Sequence, residues 1–316
     1  MLCKFPTSIA TAGGFVPCGR CLPCRVNKQK DKSSRSVLEA HMSDTVHYVT
    51  ATYDSEHLPT EYKHWDGTYF TSLSGTLNPN HPKNFIKRLR SAIEPHKFRY
   101  YMVGEYGDEK ARPHYHFIFY GFPEEQTWRL YDSWHDGTPD RTPLCHPDRF
   151  EVERPRSAWD VSLYVSGYVI KKMTRQDDAR LNGAFPEFFR SSKGIGLAMV
   201  DSIVDALNTE SGWSFIYEFG NIPRTVHLMG KPLKIDRYMK EKILDALDKI
   251  QPGIKEKIKQ VRYGSYQKEM QDLRFRAKAS ATSPKQILDD DNRQSLKNFE
   301  RKFELFNPKH KGINHG

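Results

Sequence analysis

Alternating apolar and polar positions before residue 125 predict a sheet. Residues 46–53 alternate and are rich in β-branched and aromatic side chains, which is typical of a strand. Residues 100–103 and 117–120 are two further apolar segments around a turn-rich stretch, and they predict an antiparallel hairpin with a long loop. Residues 82–93 have apolar positions at helical spacing and a basic exterior. The order strand, helix, strand, strand predicts an α+β fold, with helices packed on an antiparallel sheet.

Other stretches have weaker patterns. Residues 26–42 are dense in Lys, Arg and small polar residues, which predicts an exposed helix. Residues 54–81 contain turn-forming residues throughout and predict a long loop. From about Gln271 the chain is polar with charges of both signs, which indicates loose helix or disorder. We also expect a short helix at residues 124–134, strands at residues 149–154 and 213–217, and helices at residues 201–207 and 236–250.

The composition narrows the class of protein. Of 316 residues, 37% are hydrophobic and 28% charged, and the mean hydropathy is -0.73, as in polar proteins. No run approaches the roughly 18 apolar residues that a membrane span requires, and the beginning lacks the apolar segment of a secretory signal. We therefore expect a soluble protein of a reducing cytoplasm, with no membrane partner. The net charge of +10 favours a polyanionic partner, and the many aromatic rings could stack on unpaired bases.

A His-x-His pair in the second strand of the hairpin is a candidate metal site. Residues two apart on a strand share a face, so His114 and His116 should project to the same side. Glu105 ends the partner strand and could lie beside them. Two imidazoles and a carboxylate with open positions suit a divalent cation that polarises a substrate oxygen. The alternative is a half-exposed pair of histidines without a metal.

The N-terminal region has four cysteines that could share a second metal. Cys3 is followed by Cys18, Cys21 and Cys24, and four thiolates could enclose a tetrahedral zinc that closes a small knuckle. The spacing departs from the common paired Cys-x2-Cys arrangement, so a redox pair, reduced thiols and an iron–sulfur cluster are alternatives. Cys145 stands alone and is expected to be an ordinary thiol.

A predicted helix carries a candidate nucleophile. Ser157 and Asp160 fit a capping box, so a helix should begin there, and it would place Tyr164, Tyr168 and Lys171 on one narrow stripe. A tyrosine hydroxyl, with a pKa of about 10, is a poor nucleophile, but a cation one turn away favours the phenolate. Phenolate attack on a phosphodiester would give a phosphotyrosyl link and a free 3′-hydroxyl. The alternative is that both tyrosines are amphipathic residues at the edge of the core.

Taken together, these motifs resemble the HUH endonucleases that initiate rolling-circle replication, and in particular the replication initiators of gokushovirus-type microviruses. The segments that carry the resemblance are CGRCLPCR at residues 18–25, TATYDSEHLP at 50–59, FIKRLR at 85–90, GEYG at 104–107, PHYHFIFYG at 113–121, YVSGYVIKK at 164–172 and KGIG at 193–196.

The resemblance implies a fold and a set of site residues. It implies a ferredoxin-like antiparallel sheet with both histidines on a central strand, a tyrosine helix nearby, and Mg²⁺ or Mn²⁺ held by His114, His116 and Glu105. It also implies two alternating tyrosines. Tyr168 has Lys171 three residues on and is the better candidate for the first cleavage. Tyr164 lacks such a lysine, and Lys172 is the candidate replacement.

The activity implied is nicking of single-stranded DNA at a viral origin through a 5′-phosphotyrosyl intermediate, followed by religation of the displaced strand. Host helicase and polymerase would be partners, in the cytoplasm of the host bacterium. The alternatives are a non-catalytic zinc-knuckle nucleic-acid-binding protein and an HUH relaxase or transposase of a mobile element. The basic residues expected to contact DNA are Lys83, Lys87, Arg88, Arg90 and Arg112.

Four consecutive segments are expected along the chain. They are a Cys-rich segment with a basic helix at residues 1–45, the nuclease core at 46–180, an additional α/β region packed on that core at 181–270, and a polar charged tail at 271–316.

Overall fold

The computed structural model describes residues 2–9, 14–107, 110–161 and 178–306. The chain divides into two units. Arg35–Ala198 form one, here called the sheet unit, whereas Met1–Ser34 and Met199–Gly316 form the other, here called the helical unit. This division differs from the four consecutive segments that the sequence predicts, because the N-terminal segment groups with the C-terminal half of the chain.

The regular elements are numbered here in chain order within the described residues. The strands are β1 (Thr7–Ile9), β2 (Gly14–Val16), β3 (Val46–Ala51), β4 (Glu61–Lys63), β5 (Tyr69–Thr71), β6 (Arg99–Tyr106), β7 (Pro113–Tyr120), β8 (Glu151–Glu153), β9 (Phe188–Ser191), β10 (Thr225–Leu228) and β11 (Lys231–Lys234). The α-helices are α1 (Leu22–His41), α2 (Asn80–Ala92), α3 (Trp128–Asp132), α4 (Val200–Leu207), α5 (Glu210–Phe219), α6 (Arg237–Ile250), α7 (Ile254–Ala279) and α8 (Pro284–Phe306).

The sheet unit is built on five antiparallel strands in the order β8-β3-β7-β6-β9. The predicted hairpin is β6 and β7, which pair without a break from Arg99 opposite Tyr120 to Tyr106 opposite Pro113. Strand β7, which carries the histidine pair, is the middle strand of the five. The predicted α+β fold with an antiparallel sheet, and the position of the histidines on a central strand, are confirmed.

Both faces of this sheet are covered, and the two coverings differ. On one face Phe85 of α2 packs edge-on against Phe117 and Trp134, with ring centroids 5.1 and 5.4 Å apart, and all three rings are fully buried. On the other face Ile118 and its neighbours pack against residues of α1 and of the segment that follows β8. That second cluster contains Ala40, Tyr48, Tyr101, Ile118, Tyr120, Val161 and Ile195. Since side chains alternate along a strand, adjacent residues of β7 belong to opposite layers.

Several sequence predictions need correction. Helix α1 is not exposed, because Ser36, Val37 and Leu38 are completely buried. The predicted long loop at residues 54–81 contains the short hairpin of β4 and β5. The strand predicted at residues 213–217 is wrong.

Those aromatic residues lie in helix α5 instead. The side chain of Thr209 accepts a hydrogen bond from the Gly212 N–H at 3.2 Å and caps its N-terminus, and Gly220 in the left-handed conformation ends it. Strand propensity is therefore overridden by capping and by burial of Ile216.

The helical unit extends further than the polar sequence after Gln271 indicates. Of the two predictions there, helix is correct: α7 and α8 are continuous helices, and α7 buries Ile254, Ile258, Leu273 and Ala277. The helix predicted at residues 236–250 is confirmed as α6, and Asp236 caps it by accepting a hydrogen bond from the Met239 N–H at 2.8 Å. Among the described residues, no helix has the combined length and hydropathy needed to cross a bilayer.

A buried polar network joins the start of α2 to the sheet. Nδ1 of His81 lies 2.8 Å from the hydroxyl of Tyr53, which donates to the hydroxyl of Tyr115 at 2.9 Å. The Tyr115 hydroxyl donates to the Asn78 carbonyl and accepts from the Asn78 N–H, and the Asn78 side-chain nitrogen lies 3.2 Å from Nε2 of His81. These donors and acceptors match if His81 is neutral with its proton on Nδ1.

This network predicts a pH-dependent stability. Burial, with a smaller contribution from Arg88, lowers the pKa of His81 from 6.5 to about 4. Between these two values the unfolded chain binds more protons than the folded chain. The stabilisation is therefore complete above the ordinary pKa of histidine and is lost as the pH falls toward about 4, by roughly 3 kcal/mol at most.

The measurement is the free energy of unfolding by urea from about pH 7.5 to about pH 4.5. We expect wild type to lose more stability than His81→Gln, because Gln keeps a hydrogen-bonding amide but does not titrate. Other buried histidines titrate equally in both proteins, so the difference isolates His81. Identical pH dependence in the two proteins would contradict this assignment.

Candidate active site

His114 and His116 lie on the same face of β7, as the sequence predicts. Their ring centroids are 6.4 Å apart with an angle of 35° between the ring planes. Glu105 of β6 is directly opposite His114 in the ladder, and its Oε1 lies 3.1 Å from Nε2 of His116. The His116 and Glu105 side chains are 13% and 23% exposed, so solvent reaches them only in part. The structure therefore brings all three predicted metal ligands to one partly shielded patch of the sheet.

Strand β3 orients the ring of His116. Thr50 is the residue opposite His116 in the β3–β7 ladder, and its Oγ1 lies 3.2 Å from Nδ1 of His116. If Nδ1 carries the proton and donates it to this hydroxyl, Nε2 has the free lone pair, and Nε2 is the nitrogen that faces Glu105. Outer hydrogen bonds of this kind fix the tautomer and the ring orientation of metal-binding histidines.

A glycine makes room for the ring of His114. A Cβ at Gly107 would lie 3.0 Å from Nε2 of His114, which is too close for ordinary packing. Burial is the main cause that lowers the pKa of His114. The positive charges of His116 and Arg112 act in the same direction, and Glu105 opposes them. His114 is therefore neutral at neutral pH, and neutral imidazole is the form that binds a metal.

The three side chains have the donor types of a divalent-cation site but are more widely spread than a closed cluster. Among the described residues, the four N-terminal cysteines are the group whose ligand atoms all lie within 4.8 Å of one another. Glu105, His114 and His116 do not meet that criterion. Glu105 contacts His116 diagonally across the ladder, although its direct neighbour is His114. The set is open on one side, as a site that also receives a substrate must be.

The predicted nucleophiles lie outside the described residues. This holds for Tyr164, Tyr168, Lys171 and Lys172. The chain just before them is described, and the predicted capping box is present there, because Oδ2 of Asp160 accepts a hydrogen bond from the Ser157 N–H at 2.9 Å.

The next residue, Val161, is fully buried in the cluster that contains Ile118. Ile118 is two residues beyond His116 and therefore on the same face of β7. The chain thus approaches the predicted tyrosine segment from the face that carries the imidazoles.

The five basic residues predicted to contact DNA differ in their surroundings. Lys83 and Lys87 are exposed on α2, and the Arg90 guanidinium lies over the rings of Phe98 and Tyr100, at 5.9 and 5.7 Å. Arg88 donates to the carbonyls of Ser133 and His135 at 2.9 and 2.8 Å, and Arg112 donates to the carbonyl of Tyr53 at 3.0 Å. Arg88 and Arg112 therefore support the backbone. DNA contact by any of the five stays a prediction.

The four predicted zinc ligands meet in the helical unit. Cys3, Cys18, Cys21 and Cys24 are free thiols whose sulfur atoms all lie within 4.8 Å of one another. Backbone N–H groups point at the sulfurs: Lys4 donates to Cys21 at 3.3 Å, and Arg20 donates to Cys18 at 3.4 Å.

The pKa of Cys18 is lowered to about 6. Burial acts to raise it, but the N–H groups of Cys21 and Arg20 stabilise the thiolate and prevail. This cluster could hold a metal ion.

Sequence reasoning missed the residues that fix the KGIG motif. The Glu39 carboxylate accepts from the Arg99 guanidinium at 3.0 Å and from the Gly196 N–H at 2.6 Å. A Cβ at Gly196, whose φ is +79°, would lie 3.0 Å from the Arg35 carbonyl. The motif is therefore a turn held against α1 and β6. An acid at position 39 of a predicted exposed helix gave no signal of this role, and neither did Thr50.

Comparison with known proteins identifies relatives of part of the chain. Residues 46–177 match the model of the replication-associated protein ORF2 family. The replication-associated protein VP4 of Bdellovibrio phage phiMH2K is 27% identical over 177 residues, 51% of this chain and 50% of that protein. The replication-associated protein ORF2 of Spiroplasma virus 4 is 31% identical over 193 residues, 58% of this chain and 56% of that protein.

A third relative is the replication-associated protein ORF4 of Chlamydia phage 1, which is 26% identical over 241 residues, 72% of this chain and 53% of that protein. The chain spans about half the length of the curated relatives that it matches. No solved structure matches it significantly. The matched segment includes β3, β6 and β7, and with them Glu105, His114 and His116. Residues 46–177 therefore belong to the replication-associated protein ORF2 family, which confirms the resemblance to phage replication proteins.

Proposed function

We propose that this protein initiates rolling-circle replication by nicking single-stranded DNA at a viral origin and religating the displaced strand. The observation that carries the proposal is the meeting of Glu105, His114 and His116 on the middle strand, on the face from which the chain enters the tyrosine segment. The relatives are named replication-associated proteins, which supports a role in replication over mobilisation or transposition.

The donor set suits a hard or borderline divalent cation. His114, His116 and Glu105 would hold Mg²⁺ or Mn²⁺, because a carboxylate and neutral imidazoles accept these ions while leaving positions for other ligands. When bound, the cation would polarise a phosphodiester oxygen. The protein's part is to keep His114 neutral through burial and His116 in one tautomer through Thr50.

The nucleophile in this proposal is the phenol of Tyr168. Lys171, one helical turn on, favours loss of the phenolic proton. The phenolate oxygen bonds to phosphorus, the bond from phosphorus to the 3′ oxygen breaks, and that oxygen takes up a proton to become a free 3′-hydroxyl. The 5′ side stays on the protein as a phosphotyrosine. Tyr164, assisted by Lys172, would cut the regenerated origin after one round of synthesis.

The first test is a covalent adduct on a denaturing gel. Single-stranded oligonucleotides that tile the intergenic DNA of the encoding genome are incubated with full-length protein and Mn²⁺. We expect a protein–DNA band that is lost in His116→Ala and in the Tyr164→Phe/Tyr168→Phe double variant. Tyr263→Phe removes an exposed tyrosine of α7 and should keep the band. DNA binding without an adduct under any metal would support the non-catalytic alternative instead.

A second test concerns the role of Thr50 as a positioning residue. Thr50→Val keeps the shape but removes the hydroxyl opposite Nδ1 of His116, so we expect Mn²⁺ affinity to fall by about 10- to 100-fold. Calorimetric titration of Mn²⁺ without DNA measures this directly. Thr45→Val is the matched control, because its hydroxyl donates instead to the Phe122 carbonyl at the other end of β3. Equal affinities in both variants would remove Thr50 from the account.

We further propose that the four N-terminal cysteines hold a structural Zn²⁺. Four sulfur ligands favour zinc over harder cations, and the N–H groups directed at the sulfurs stabilise their anionic form. Such an ion would tie the segment before α1 to the first turn of that helix, which contains Cys24.

Elemental analysis tests the zinc site. Protein purified without chelator should contain about one zinc per chain, and the Cys18→Ser/Cys24→Ser double variant should contain none. Cys145→Ser, a change in the core of the sheet unit, should keep the metal. Iron with visible absorbance, or no metal at all in the wild type, would overturn the zinc assignment.

A further inference from the structure

Three cationic side chains converge on one surface of the helical unit. The Lys240 ammonium of α6 donates to the side chain of Asn221. The residue before Asn221 is Gly220, where an added Cβ would lie 3.1 Å from Cγ of Arg262 on α7. Arg224 follows three residues after Asn221 and is exposed. The short segment from Gly220 to Arg224 therefore brings one cation and lies against two others.

The local carboxylates are used elsewhere. Lys242 and Lys255 pair with Asp245, and Lys259 pairs with Glu256. Within the described part of the chain, Arg224, Lys240 and Arg262 form no ion pair. The pKa of Lys240 is lowered, first by burial and then by the charges of Arg262 and Arg224. Like charges held this close repel one another, and an anionic partner relieves that repulsion.

Aromatic rings lie along the same side of α7. Nζ of Lys257 lies 3.9 Å from the centroid of the Tyr217 ring, and the Tyr217 ring is stacked on Trp213 at 6.2 Å. Lys257 precedes Arg262 by five residues, or about 7.5 Å along the helix. The cations therefore extend over more length than one phosphate group occupies, with two partly exposed rings beside them.

We propose that this basic and aromatic surface, formed by Trp213, Tyr217, Arg224, Lys240, Lys257 and Arg262, binds the sugar–phosphate backbone of single-stranded DNA. Cations that follow the backbone, with aromatic rings on which bases stack, are the usual means of holding a single strand. The surface belongs to the helical unit, and it is distinct from the Glu105, His114 and His116 site. The inference rests on the proposed function only for the source of that DNA, which would be the origin strand.

The test is the salt dependence of DNA binding by the full-length protein. Fluorescence anisotropy of a labelled single-stranded oligonucleotide, without added divalent metal, gives the affinity from about 50 to about 300 mM salt. The test variant is Lys240→Gln/Arg262→Gln. The control Lys278→Gln/Lys297→Gln removes the same charge from exposed lysines elsewhere on α7 and α8. Arg262→Gln alone guards against misfolding, because that side chain is exposed, and thermal melts check every variant.

Each lost phosphate contact should reduce the slope of log affinity against log salt by about 0.7, hence by about 1.4 for the double variant and about 0.7 for Arg262→Gln. The control should keep the wild-type slope. Folded test variants with the control's slope would overturn the surface. Failure of the nickase proposal is distinguishable, because the adduct assay reports it separately. Wild type can form adduct with no change in the variant's slope, or bind through this surface and form no adduct.

Discussion

The pairing of β6 with β7 in a single register is the constraint on which the candidate site depends. It sets Glu105 opposite His114, and the two-residue period of β7 puts both imidazoles on one face. A slip of one residue would turn both histidines into the aromatic core and Tyr115 outward. Burial on both faces prevents that slip: Tyr115 and Phe117 fit only the layer of α2, whereas Ile118 and Tyr120 fit the layer of α1.

Rigid parts of the sheet unit surround this hairpin and fix its two ends. Near the histidines, Tyr115 is held by hydrogen bonds to Asn78 and Tyr53, so the strand cannot tilt around the residue between the two imidazoles. At the other end, Arg99 is paired with the buried carboxylate of Glu39. Ligands carried by a strand that is fixed in this way need little reorganisation to bind a cation, which is the advantage of building a site on regular structure rather than on loops.

Local pattern predicted the parts of the fold that local pattern determines. The alternation in β3 and β7, the periodicity of α2 and the cap at Asp236 depend on neighbouring residues and were correct. The placement of residues 213–217 in a helix depends on a cap at Thr209 and on burial of Ile216, which outweigh strand propensity. The burial of α1 depends on the distant turn at Gly196. Among the site residues, His114, His116 and Glu105 followed from strand geometry. Thr50 and Gly107 did not, because their roles arise from a neighbouring strand and from a close approach that the sequence does not display.

The account makes one central claim, that a phenol of the segment after Val161 reaches the phosphorus of a DNA strand bound at the imidazole face. Tandem mass spectrometry of the trapped adduct, after digestion with nuclease and trypsin, tests it most directly. The tryptic peptide that contains Tyr164 and Tyr168 should carry the nucleotide, the fragment ions should place it on Tyr168, and His116→Ala should abolish it. A nucleotide on a residue outside that peptide, or the same modified peptide from His116→Ala, would contradict the claim.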